Sequence, residues 1–138
     1  MKVESVEHAY KLISTYLLAF ADDRSWDLLA CKIQIFEKMA TGRQWLHVGG
    51  ETVRQGGFRS SPYAVWDGMD AALFLRDDLL RSTGQRIWGL TFTLYPDGKF
   101  NIEYDYNKPE GYEETDEVIT GDEINASLDE VMNKRDGD

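Results

Sequence analysis

Apolar residues along this chain recur first at helical spacing, then at every second position, then at helical spacing again, and once more at every second position. Over residues 4–20, Val6, Ala9, Tyr10, Ile13, Leu17 and Phe20 share one face of a helix, with Ser5, Lys11 and Ser14 on others. The Ala21-Asp22-Asp23-Arg24 cluster ends it. From Trp26 to Lys38, Leu29, Cys31, Ile33 and Ile35 alternate with more polar neighbours, which predicts a strand. Thr41-Gly42-Arg43 reads as a turn into a second strand over Gln44–Val53. Gly49-Gly50 weakens that strand, and Arg54-Gln55-Gly56-Gly57 opens a loop reaching Ser61. Ser60-Ser61-Pro62 has the form of a helix start, a serine cap followed by proline at the first helical position. This helix should run to Thr83-Gly84, with Val65, Met69, Ala72, Leu73, the Arg76 stem and Leu80 along one side. Asp67 and Asp70 near its start and Arg76 and Arg81 toward its end suit the helix dipole.

The strongest pattern lies between Ile87 and Tyr106. Pro96-Asp97-Gly98 supplies a turn: proline sets φ, aspartate bonds back to the backbone, and glycine takes the left-handed position. Closing a hairpin there pairs Tyr95 with Lys99 and sets Trp88, Leu90, Phe92 and Leu94 beside Tyr106, Tyr104, Ile102 and Phe100 on one face. The other face then carries Thr91, Thr93 and Tyr95 with Lys99, Asn101, Glu103 and Asp105, and is expected to be wet and acidic. A slip of one residue would bury two carboxylates, so the register is well determined. Beyond a polar loop through Pro109-Glu110-Gly111, Thr120-Gly121-Asp122-Glu123 forms a capping box before Ile124, Leu128, Val131 and Met132, which predicts a short C-terminal helix.

The resulting order is α-β-β-α-β-β-α. It predicts an α+β fold, an antiparallel sheet built from two hairpins and packed on one face by helices. A single domain over residues 1–138 is expected, with its last few residues disordered. At 138 residues and 42% hydrophobic content the chain can bury a real core. Met1-Lys2-Val3-Glu4 does not begin a signal peptide, no apolar run is long enough to span a bilayer, and Cys31 has no second cysteine to pair with. These features point to a cytoplasmic protein.

Charge is distributed unevenly. Residues 1–96 hold 11 bases and 11 acids, whereas residues 97–138 hold four bases and 14 acids, the whole of the net charge of −10. A folded surface of this sign repels nucleic acid and anionic membrane and attracts a basic partner.

Catalytic chemistry is not visible. Cys31 with His8 or His47 could be imagined as nucleophile and base, but Cys31 falls on the apolar side of a strand, where a thiol packs rather than reacts. His47 alternates with Leu46 and Val48, and His8 lies between Glu7 and Ala9; neither stands beside a carboxylate motif. A calcium loop counted from Asp105 would need glycine sixth and glutamate twelfth, where the chain has Glu110 and Asp116. Glu103 and Asp105 are neighbours on an open face and lack the asymmetry that an acid–base pair requires. Gly49-Gly50 and Gly56-Gly57 lack the lysine and hydroxyl of a phosphate loop. No enzyme, metal or cofactor is expected.

The hairpin also carries a resemblance. Trp88-Gly89-Leu90-Thr91-Phe92-Thr93-Leu94, the turn, and Gly98-Lys99-Phe100-Asn101-Ile102-Glu103-Tyr104-Asp105-Tyr106 resemble the signature hairpin of the YezG-like antitoxin and immunity family of bacterial polymorphic toxin systems of the contact-dependent inhibition type. The likeness covers about 20 residues; the preceding helix, hairpin and helix agree in order, and residues 107–138 differ from the family's shorter, tryptophan-bearing tail. The resemblance implies a cytoplasmic immunity protein that binds and neutralises a secreted or contact-delivered toxin, often a nuclease. Nuclease clefts are basic because they hold a polyanion, so charge reaches a compatible partner independently. The expected contact residues are Tyr95, Asp97, Glu103, Asp105, Tyr112, Glu113, Glu114, Asp116 and Glu117, with Tyr95 and Tyr112 as anchors and Tyr104 and Tyr106 in the core. Free of its partner, the protein should be a monomer or weak dimer. A secretion chaperone that binds an effector segment through apolar grooves is the alternative. A small enzyme of a cone-shaped α+β fold has no residue set to support it.

Overall fold

Ser5 begins the first helix by accepting the His8 amide on its hydroxyl at 3.0 Å, while His8 Nδ1 accepts the Glu4 amide at 3.1 Å. Two otherwise unpaired amides are satisfied reciprocally, as in a capping box. The computed structural model describes residues 2–110 and 112. In chain order it contains α1 (Val6–Ala21), β1 (Leu28–Ile35), β2 (Ala40–Val48), β3 (Glu51–Val53), α2 (Ala64–Thr83), β4 (Gly89–Leu94) and β5 (Phe100–Asp105). The strands form one antiparallel sheet in the order β3-β2-β1-β4-β5. This is the expected α+β class. The C-terminal helix predicted after Thr120 lies outside the described residues.

Contacts group the chain into two compact units, Met1–Lys108 and Pro109–Asp138. Of the second, Pro109, Glu110 and Tyr112 are described, and the Tyr112 amide donates to the Pro109 carbonyl at 3.2 Å.

Both helices of the first unit cover one face of its sheet. Leu29, Cys31, Ile33 and Ile35 on β1 and Leu90, Phe92 and Leu94 on β4 are buried against Ile13, Tyr16, Leu17 and Phe20 of α1 and Ala72 and Leu75 of α2. The alternation read from the sequence therefore identifies the core side of β1. One polar group on the covered side is satisfied directly: Tyr16 donates its hydroxyl to Gln44 Oε1 at 2.6 Å. Burial, with a smaller contribution from Cys31, pushes the Tyr16 phenol well above its ordinary pKa.

The turn expected at Thr41-Gly42-Arg43 is not there. Ile35 pairs with Ala40 and Ile33 with Gly42, so β1 and β2 are joined through Glu37 and Lys38, and all three of those residues lie within β2. Gly42 serves packing instead. A Cβ there would approach Met69 Cε to 2.9 Å and the Tyr16 hydroxyl to 3.0 Å. Arg76, buried on α2, holds the true turn by donating through Nη1 to the carbonyls of Phe36 and Glu37.

The strand predicted over Gln44–Val53 is two strands. Gly49 and Gly50 have φ of 57° and 82°, the left-handed values that a two-residue hairpin turn requires, and Val48 pairs with Glu51 across them.

Helix α2 also begins later than its serine–proline signal. Its N-cap is Tyr63, with no side-chain cap, and the Ser60 hydroxyl donates to Asp22 Oδ1 at 3.2 Å. Asp22 Oδ2 takes the Arg59 amide at 3.1 Å, so the loop is tied to the end of α1. Ser61, the serine before Pro62, is not the cap: the helix starts beyond it at Tyr63, and the Ser61 carbonyl takes the Ala64 amide at 3.2 Å. The buried side of α2 is Ala64, Gly68, Met69, Ala71, Ala72, Leu75 and Arg76, while Leu80, expected on that side, is exposed. Met69, Ala72 and Arg76 are buried as expected and Val65 and Leu73 are half-buried, while Ala64, Gly68, Ala71 and Leu75 complete the covered side.

Candidate functional site

The hairpin register is the one read from the sequence: Leu94 pairs with Phe100, Phe92 with Ile102, Leu90 with Tyr104, and Thr91 with Glu103. Tyr95 donates its amide to the Lys99 carbonyl at 2.9 Å, and Asp97 Oδ1 takes the Lys99 amide at 2.9 Å, so aspartate ties the turn as its chemistry suggests.

Register fixes direction but not depth. Among the described strands β5 is the last of the sheet, and its helix-side residues are only partly covered. Phe100 is 43% exposed and Ile102 and Tyr104 are half-buried. Tyr106, expected in the core, is 50% exposed because it lies beyond the end of the strand. Tyr104 is held by a hydroxyl contact with Tyr10 at 3.1 Å; burial first, and that contact second, push its phenol well above its usual pKa.

On the open face Asn101, Glu103 and Asp105 are all exposed. Asp105 Oδ1 accepts the amide of Asn107 at 2.9 Å and its Nδ2 at 3.1 Å. The Glu103 carboxylate makes no hydrogen bond or ion pair among the described residues. The face is not uniformly acidic, however. Pairing places Glu103, Thr91, Lys32 and Arg43 in one row across four strands. The acids occupy the β5 edge and the bases occupy β1 and β2. Glu103 and Lys32 are two strands apart, about 10 Å at ordinary strand spacing, so they polarise the face rather than form an ion pair.

Tyr95 and Asp97 are exposed at the hairpin tip, next in sequence to this acidic edge. Tyr112 belongs to the second unit, and Glu113, Glu114, Asp116 and Glu117 lie outside the described residues. The described structure therefore gathers Tyr95, Asp97, Glu103 and Asp105 on one hairpin. Most of the net charge is elsewhere: residues 111–138 hold ten of the 25 acids and two of the 15 bases.

The groups considered for catalysis have local roles. Cys31 is buried, and burial pushes its thiol up to about 12, only partly offset by a backbone hydrogen bond from Phe92. At neutral pH it holds its proton and is a poor nucleophile. His8 caps α1, and His47 Nδ1 meets Thr52 Oγ1 at 2.9 Å across β2 and β3. Among the described residues no three His, Cys, Asp or Glu side chains are grouped to hold a metal, and no helix is long and apolar enough to cross a membrane.

One surface was not legible in the sequence. Tyr63 and Trp66, at the start of α2, are 67% and 66% exposed, with ring centroids 5.5 Å apart. On α1, exposed Leu18 helps to line a hollow of about 290 Å³ with Thr15, Ala19, Asp22, Ser60 and Ser61. The available signal was a tryptophan standing off the helix's apolar stripe.

No protein-family model and no curated protein sequence matches the chain.

Proposed function

We propose that this protein is a cytoplasmic immunity protein of the YezG-like kind, which binds a cognate toxin domain with a basic active cleft and blocks it. A nuclease domain is the best-suited partner, because a site that holds a polyanion must be cationic. The observation that carries the reading is the β4–β5 hairpin, whose register puts Glu103 and Asp105 on an exposed edge strand with Tyr95 and Asp97 at its tip. Exposed acids on this strand speed encounter with a cationic partner. The acids of residues 113–117 extend that attraction in this reading, and Tyr95 and Tyr112 act as anchors. The inhibitor needs no chemistry of its own and is a monomer or weak dimer before it meets the toxin.

Co-expression with the product of the adjacent gene tests this. Restored growth and a co-purifying complex are the expected result; a neighbour that is neither toxic nor bound would refute it. A second reading, a secretion chaperone, is favoured by the exposed Tyr63–Trp66 pair and by Leu18, which offer apolar surface on the helical side. An effector that is secreted only when this protein is present, and that fails to bind a Trp66→Ala variant, would favour it.

A further inference from the structure

The free side of β5 is a second feature of the hairpin, distinct from its charge. Because Tyr95 and Lys99 form a hydrogen-bonded pair, that pattern recurs at Thr93–Asn101 and Thr91–Glu103. The intervening residues, Phe100, Ile102 and Tyr104, therefore turn their amides and carbonyls away from β4. No described strand lies beyond β5, and these groups have no partner among the described residues. Proteins protect such an edge with proline, a bulge or charge, because it is a template for another strand. Here Phe100–Asp105 contains no proline or glycine, and the protection is charge of a single sign, Glu103 and Asp105. Two copies meeting edge to edge would oppose carboxylate to carboxylate. A cationic strand would meet no such opposition.

We propose that β5 is the docking edge for an extended segment of the partner, one that carries lysine or arginine at alternate positions with apolar residues between. Added to the sheet, its cationic side chains would fall on the open face beside Asn101, Glu103 and Asp105, at the cross-strand distance of about 5 Å. Its apolar side chains would fall on the helix side, where a ledge already exists. Phe100 is exposed there, its ring 5.2 Å from Tyr10 and stacked at 4.9 Å on Phe92. Main-chain bonds would supply affinity, and the alternation of acid and ledge would supply selectivity. This deepens the reading of the chain as an inhibitor of a basic toxin and rests on it for the sign of the partner's charge.

The test is residue-resolved amide exchange with a capped synthetic peptide of alternating lysine and valine, long enough to span β5. At about ten times its dissociation constant it should slow exchange at Phe100, Ile102 and Tyr104 about tenfold, as the free edge is depleted by that factor. Asn101 and Glu103, already bonded to β4, should hardly change. A glutamate–valine peptide should have no effect. Ile102→Pro removes one outward amide without touching the ladder and should abolish protection, whereas Ile102→Ala should keep it; Glu103→Gln with Asp105→Asn should weaken it even if the proline variant does not fold. Protection elsewhere, no protection at saturation, or concentration-dependent protection without peptide would overturn the proposal. Peptide protection without toxin neutralisation would keep the edge and remove the toxin; neutralisation without edge protection would do the reverse.

Discussion

Cys31 faces Phe92 on one neighbouring strand and Gln44 on the other. Burial raises its thiol from the ordinary 9.0 to about 12, so the unfolded chain gives up this proton first. The stability it contributes is complete below about pH 9 and is lost as pH climbs toward about 12. Tyr16 and Tyr104, raised mainly by burial, act in the same direction at still higher pH. Urea midpoints should therefore fall as pH rises above about 9, and fall less steeply in Cys31→Ala; identical slopes would show that the thiol is accessible in the native state. Toxin neutralisation should survive this substitution. Within the hairpin, Phe92→Ala removes a buried ring and should cost about 3–5 kcal/mol, whereas Glu103→Ala, on the open face, should stay within about 0.5 kcal/mol. Urea unfolding separates the two, and equal losses would place Glu103 inside the core.

Among elements, the β1–β2 turn is clamped by Arg76 of α2. Removing the guanidinium in Arg76→Met leaves the Phe36 and Glu37 carbonyls without their charged donor. The cost should be about 1.5–3 kcal/mol, with faster amide exchange around the β1–β2 turn before the rest of the sheet. Uniform loosening of all five strands would argue against that clamp. Gly42→Val should cost about 1–3 kcal/mol by overpacking against Met69 and Tyr16, while Arg43→Val, one residue along on the open face, should be nearly neutral. Similar tolerance at both positions would restore the turn that the Thr41-Gly42-Arg43 sequence suggests.

At the scale of the whole molecule, charge is divided between the β5 edge and the acid-rich residues 111–138. Association with a basic toxin should slow steeply with salt, since a Debye length of about 8 Å at physiological ionic strength screens long-range attraction. Reversing Glu113, Glu114, Asp116 and Glu117 should act mainly on the association rate. Reversing Glu103 and Asp105 should also speed dissociation, because charges buried against a partner cost about 2–5 kcal/mol when unmatched. Stopped-flow association at two salt concentrations and dissociation of each variant decide this. A salt-independent on-rate with unchanged affinity in both sets would exclude an electrostatic role for either.

The hairpin was legible from residue order alone because three local signals agreed: the Pro96-Asp97-Gly98 turn, strict alternation, and the penalty for burying Glu103 and Asp105. The core side of β1 followed from the same alternation, and the α+β class from the order of the elements. Local chemistry misled where a residue serves a distant one. Gly42 resembles a turn glycine but makes room for Met69 and Tyr16; Ser60-Ser61-Pro62 resembles a helix start but lies ahead of the Tyr63 cap, with the Ser60 hydroxyl on Asp22; and Leu80, expected on the covered side of α2, is exposed. Strand order was likewise beyond a local pattern. Among the described strands it puts β5 at an edge, which leaves Phe100 half open, and it brings Lys32 and Arg43 into the row with Glu103. Periodicity reports which way a side chain points. Only the neighbours that long-range pairing supplies decide how deeply it is buried and what charge stands beside it.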